Sequence, residues 1–210
     1  MRALGSGPEW NGWGPTLANT HNQPVEAAGL TARDLPRLRV KWALGFHDAT
    51  SSWAQPTIVG GRLFVGSQSG TVYSLDAESG CIAWTYVAEG SVRSAVSIGP
   101  RVGGGYLAYF SDQRGYAYAL DAETGAEVWK VVAESHPLVR LTGSVALYDG
   151  RLYVPTSSYE EVGQAKAMGL VPNTALAPPQ GAIAAGVLAN ISAIRPACAK
   201  CSTGWPTTPQ

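Results

Sequence analysis

The sequence predicts an all-β fold, an incomplete β-propeller of about two and a half four-stranded blades followed by an irregular tail. Three observations predict it. The phrase "GSQSGTVYSLDAESGCIAW", Gly66 to Trp84, returns 45 positions later as "SDQRGYAYALDAETGAEVW", Ser111 to Trp129, with nine of nineteen positions identical. Trp42, Trp84 and Trp129 are spaced by 42 and 45 residues, a blade-like period. "GGRLFVGS" at Gly60 returns as "DGRLYVPTS" at Asp149, 89 positions on, and "GGYLAYFSD" from Gly104 holds the same place between them.

The elements follow in chain order. Residues 1–36 form an N-terminal segment, 37–161 the blades and 162–210 the tail. "LRVKWALGF", Leu38 to Phe46, reads as an isolated outer strand of the kind that completes a propeller's last blade. The first full unit reads as four strands: Gln55 to Val59, Arg62 to Ser67, Thr71 to Asp76 and Cys81 to Val87. Apolar residues roughly alternate with small or polar ones along them, as in half-buried strands. The second unit runs from Val92 to Val132, and a third begins at Leu141 and supplies two strands ending near Ser157.

The repeated phrase parses as turn chemistry. Gly70 and Gly115 precede the third strand, where a positive φ suits glycine. Asp76 and Asp121 open the next turn, where a carboxylate can accept the N–H bonds of the residues that follow. Gly80 and Gly125 close it, and Trp84 and Trp129 then fall on the outer strand, placed to wedge between blades. Repetition in both copies favours building over catalysis for these aspartates.

Composition excludes several classes. Fifteen basic residues balance fifteen acidic ones, so no basic surface advertises nucleic acid. The start, "MRALGSGPEWNGWG", has no apolar run of signal-peptide length. "GAIAAGVLANISAI", Gly181 to Ile194, is too short to span a bilayer. Three cysteines are too few for a disulfide scaffold. Cys81 reads as a small buried hydrophobe, and "CAKC" at Cys198–Cys201 lacks a second ligand pair, so no metal site is assigned. His21, His47 and His136 are scattered and read as structural or solvated. From Val162 onward there is no Asp or Glu, and the expected "LDAxTG" turn and Trp of the third unit are missing. That change reads as an irregular tail, consistent with a shifted reading frame.

These residues carry a resemblance. "GRLFVGSQSGTVYSLDAESGCIAW" and "GYAYALDAETGAEVW" resemble the repeat of pyrroloquinoline-quinone-type (PQQ-type) propellers. "WNGWGPTLANTHNQP" and "WAQPTIVGGRLFVGS" are similar, more narrowly, to bacterial polyvinyl-alcohol dehydrogenases and related quinoproteins, over roughly Glu9 to Glu161 and as an N-terminal fragment of them. The resemblance implies oxidation of a primary, secondary or polymeric alcohol. PQQ sits at the centre of the blade ring, Ca2+ polarises its carbonyl, and a carboxylate takes the hydroxyl proton. It implies a cytochrome c-type electron acceptor and a periplasmic location. The alternative is a non-catalytic propeller scaffold for protein binding, since outer-membrane assembly lipoproteins carry the same repeat.

Within that resemblance the cofactor-binding candidates are Arg93 in "GSVRSA", Arg140 in "VRLTGS", Thr142, and Ser157 with Ser158 beside it. The arginines suit the quinone's carboxylates, and equally a surface or inter-blade ion pair. Thr142 and Ser157 match hydroxyls that touch the quinone in the family, and read equally as strand and turn hydroxyls. Trp53 stands where the family places a Glu, and the family's adjacent Cys–Cys pair is absent. The Ca2+ ligands and the proton-accepting Asp belong to later blades. The chain alone is therefore expected to be inactive, to hold neither PQQ nor Ca2+, and, with uncovered blade faces, to associate.

Overall fold

The computed structural model describes residues 9–159 other than Asn19. The expected tail, with Cys198 and Cys201, lies outside the described residues, as do residues 1–8. The rest forms two four-stranded antiparallel sheets and a hairpin. Blade 1 has the order β1-β2-β3-β4: β1 Thr57–Val59, β2 Arg62–Gly66, β3 Thr71–Asp76 and β4 Ile82–Val87. Blade 2 repeats it with β5 Ser97–Pro100, β6 Tyr106–Ser111, β7 Tyr116–Asp121 and β8 Glu127–Val132. β9 Ala146–Tyr148 and β10 Arg151–Tyr153 pair as the start of a third blade. This is the all-β, part-propeller architecture that the repeat predicts.

The turns behave as the repeated phrase implies. Gly70 and Gly115 have φ of 90° and 93°. The Asp76 carboxylate accepts the Ser79 N–H at 2.8 Å, and the Asp121 carboxylate accepts the Thr124 N–H at 3.0 Å. The outer tryptophans seal the seams. Trp84 donates its indole N–H to Ala122 O at 3.1 Å and lays its ring on Gly125, where a Cβ would meet ring atoms at 2.6 Å. Trp42 does the same one blade earlier, to Ala77 O at 3.1 Å and against Gly80. Glycine is required under each ring because any side chain would displace the indole.

The largest core lies between blades 1 and 2, from Phe64, Val72 and Trp84 to Phe110, Tyr118 and Leu120. Phe110 and Tyr118 stack there with centroids 4.7 Å apart. A second cluster joins blade 2 to the third hairpin through Leu107, Tyr109, Val145 and Trp129. Because blade 2 covers one face of blade 1 and the segment through Leu44, Phe46 and Ala54 covers the other, burial along its middle strands does not alternate as expected. Val72, Tyr73, Ser74 and Leu75 are all buried in succession. The sandwiched position overrides the half-buried pattern.

Two expectations are corrected. Leu38–Phe46 forms no strand among the described residues. It runs as an extended strap whose Leu44 and Phe46 cover the outward face of blade 1, over Val65, Tyr73 and Leu75. A ladder needs a neighbouring strand, and the described residues supply none there. Cys81 is partly exposed and disulfide-bonded, so it is not a buried apolar filler. A turn residue at the rim of a blade has only one covered side.

Candidate functional site at the inner ends of the blades

β1, β5 and β9 are the edge strands that lie side by side, while β4 and β8 face outward. Two hydroxyls stitch the inner strands. Thr57 Oγ1 donates to Val96 O, and Ser97 Oγ donates to Val145 O at 2.7 Å. This makes Thr57, Ser97 and Ala146 equivalent positions in successive blades. Counting back four residues, Trp53, Arg93 and Thr142 are equivalent to one another, each four residues before the first residue of an inner strand. Arg140 falls two residues before Thr142 and is equivalent to Ser91, so its place one blade on from Arg93 is offset by two positions.

Trp53 and Arg93 are in contact. The Arg93 guanidinium carbon lies 4.3 Å from the centroid of the Trp53 ring, a cation–π geometry. Arg93 has no carboxylate partner among the described residues. The segments 138–142 and 157–159 are drawn together by a Val139–Ser158 bridge, Arg140 N to Ser157 O at 2.8 Å and Tyr159 N to Leu138 O at 2.9 Å. That ribbon puts Thr142 Oγ1 3.3 Å from Ser157 Oγ. Ser157 Oγ also donates to Arg140 O. The Arg140 guanidinium donates to Val139 O at 2.6 Å and sits 5.1 Å over the Tyr159 ring, again without a carboxylate partner among the described residues. Thr142, Ser157 and Arg140 are thus assembled together. Arg93 belongs to a separate pair with Trp53.

The sequence reading missed the N-terminal contribution. Trp10 exchanges both backbone hydrogen bonds with Ile58, at 2.8 and 2.9 Å. Asn11 Nδ2 donates to Ile98 O and Asn11 Oδ1 accepts from Ile98 N, each at 2.7 Å. Gly12 N donates to Thr57 Oγ1 at 3.2 Å. One extended segment therefore caps the free inner edges of two blades, which would otherwise carry unpaired backbone groups. The "WNG" of the N-terminal phrase was its only signal.

A family profile described as outer membrane protein assembly factor BamB, of the PQQ-repeat class, matches residues 28–184. The chain belongs to this PQQ-repeat family. Among curated proteins the PQQ-repeat chain is 43% identical over 161 residues to a polyvinylalcohol dehydrogenase of Pseudomonas sp, covering 75% of this chain and 25% of the relative. It is 38% identical over 161 residues to the polyvinylalcohol dehydrogenase of Sphingopyxis sp. (strain 113P3), covering 75% and 24%. The chain spans about a quarter of the length of the curated relatives it matches. Among solved structures it resembles the quinohemoprotein alcohol dehydrogenase of Comamonas testosteroni at a TM-score of 0.60 and 22% identity, over 72% of this chain and 23% of that one. A europium-containing methanol dehydrogenase matches at a TM-score of 0.55 and 23% identity, over 72% and 28%. These structural likenesses establish the PQQ-type propeller fold.

Among the described residues no helix is long and apolar enough to cross a membrane, and no three His, Cys, Asp or Glu side chains cluster to hold a metal ion.

Proposed function

We propose that these blades are part of a quinone-dependent alcohol dehydrogenase, acting on primary, secondary or polymeric alcohols, in which the inner blade ends contribute to the cofactor site. The carrying observation is Arg93, a guanidinium stacked on Trp53 in the segment leading into an inner strand, with no carboxylate partner among the described residues. An ion pair would explain an arginine there, and none is formed among the described residues. PQQ is planar and carries carboxylates, so an aromatic face, an unpaired guanidinium and hydroxyl donors suit it. When bound, the quinone supplies the two-electron acceptor for the alcohol carbon.

The chain's own residues bind and orient. Arg93 neutralises a carboxylate, and the Trp53 ring keeps the guanidinium plane fixed. Ser157 donates its proton to Arg140 O, so the Thr142 hydroxyl is the donor in the Thr142–Ser157 bond and Thr142 Oγ1 keeps a lone pair to accept another donor. Arg140 stands at the edge of this group. Ca2+ is assigned no ligand among the described residues. The identity to two polyvinylalcohol dehydrogenases supports the substrate class. The reading carries a periplasmic location and a cytochrome c-type acceptor with it.

A second reading, a protein-binding scaffold, is favoured by the description of the matching family profile as an assembly factor. Dye reduction separates the two. The protein that carries these blades in a closed ring, given PQQ and Ca2+, is expected to reduce dye only when a primary alcohol, a secondary alcohol or polyvinyl alcohol is present. Arg93→Gln should weaken quinone binding by about tenfold or more, the effect of one charge-assisted bond. Absence of alcohol-dependent reduction under these conditions selects the scaffold.

A further inference from the structure

A cleft of about 480 Å3 opens between the β6–β7 turn and the connection from blade 2 to the third hairpin, at the same end of the blades as Arg93. Its polar lining includes Ser91, Gln113, Arg114, His136 and Arg140. Ser91 Oγ is buried and has no hydrogen-bond partner. Arg114 is built into place. Its aliphatic stem crosses Gly90, where an added Cβ would lie 2.9 Å from Arg114 Cγ. Arg140 commits a single nitrogen to Val139 O.

Among the described residues no carboxylate lines this cleft, and the nearby described ones are occupied. Glu89 is held by Lys130 at 2.8 Å, with a weaker pull from Arg114. Glu134 accepts the N–H groups of Ser135 and His136, at 2.8 and 3.0 Å. Asp112 accepts from Gly90, Arg114 and Tyr116 N–H groups and from the Tyr118 hydroxyl. Among the described residues the cleft therefore brings together two guanidiniums, with the buried Ser91 hydroxyl, which has no partner there, in its wall. A buried hydroxyl without a partner is costly, and guanidinium forks match oxyanions.

We propose that Ser91, Arg114 and Arg140 form a binding site for a small oxyanion, a carboxylate- or phosphate-bearing molecule. The site shares Arg140 with the quinone reading but uses neither Arg93 nor Trp53, so its failure and the failure of that reading are distinguishable. Titration calorimetry of the chain with citrate and, separately, with inorganic phosphate tests it, without quinone. Saturable one-to-one binding of either is expected, weakening as NaCl is raised. Citrate alone binding identifies a carboxylate source, phosphate alone a phosphate source. Arg114→Gln and Ser91→Ala should each weaken binding by about tenfold, the loss of one charge-assisted or buried bond. Arg101→Gln, which breaks only the 3.6 Å pair with Asp121, should leave it unchanged. Far-UV circular dichroism checks that each variant is folded. Absence of saturable binding by both anions, or equal weakening by Arg101→Gln, overturns the proposal.

Discussion

In blade 2 the turn between β6 and β7 closes around a buried carboxylate, whereas in blade 1 the equivalent turn closes around a serine. Asp112 is fully buried and takes four donors: Gly90 N at 2.9 Å, Arg114 N at 2.8 Å, Tyr116 N at 3.1 Å and Tyr118 OH at 2.7 Å. Burial, first, and the bond to Asp112 hold the Tyr118 phenol well above its ordinary range, so it remains the donor. Ser67 takes only the Thr71 N–H, at 3.0 Å, and pairs with Ser69 at 2.9 Å. The outer turns, by contrast, are near copies, with Asp76 and Asp121 in the same role. Repetition along the chain marks the frame, and divergence at equivalent places marks where one blade does something its neighbour does not. The oxyanion cleft borders the Asp112 turn, on the diverged side.

The comparison can be broken most directly at those two turns. Asp112→Ala should cost about 3–5 kcal/mol in urea unfolding, because several buried donors lose their acceptor together. Ser67→Ala should cost about 1 kcal/mol. Equal losses would mean that the carboxylate adds nothing over the hydroxyl. At the seams, Trp84→Phe should cost about 1–2 kcal/mol through the lost bond to Ala122 O and the vacated volume. Trp42→Phe should cost less, since Trp42 is only half-buried and Trp84 is 8% exposed.

The outer turns should respond alike to acid. The Ser79 N–H and hydroxyl hold the Asp76 carboxyl below its ordinary range. At Asp121 burial pushes upward, and the Thr124 N–H and hydroxyl outweigh it. A carboxyl depressed in the folded state binds its proton more readily when unfolded. Its stabilisation is therefore present above about pH 4 and is lost as pH falls toward the folded value. Asp76→Asn and Asp121→Asn should each flatten the loss of stability below that pH, by similar amounts. The smallest effect belongs to Lys130→Ala. It breaks a partly exposed pair with Glu89 and should change stability by less than about 1 kcal/mol.

What was legible in the sequence was what recurs. The period, the Asx turns, the glycines and the seam tryptophans each have a local signature that appears twice. What was not legible joins distant residues once. Arg62 is 5% exposed because its guanidinium reaches Ala122 O and Glu123 O, at 3.1 and 2.9 Å, across 60 residues. Nothing near Arg62 announces that reach. The Asp112 hub hides in the aligned phrase as an ordinary mismatch with Ser67. The inner-end candidates were half legible. Thr142 and Ser157 do meet, but the two-residue offset of Arg140 from the Arg93 position emerges only once the Thr57 and Ser97 stitches fix the register. Leu38–Phe46 has the composition of a strand, yet pairing is a property of two segments, and composition reports one.

The strap at Trp10–Gly12 constrains the order in which this chain can fold. Asn11 bonds to Ile98 across 87 positions, whereas each hairpin within a blade closes over a few residues. Closing so long a loop is entropically slow, and the closure has no partner until β5 exists. On a ribosome, the first blade can therefore form and pack while the Trp10–Gly12 segment still waits, and a segment synthesised before both blades is locked in place only after β5 has formed.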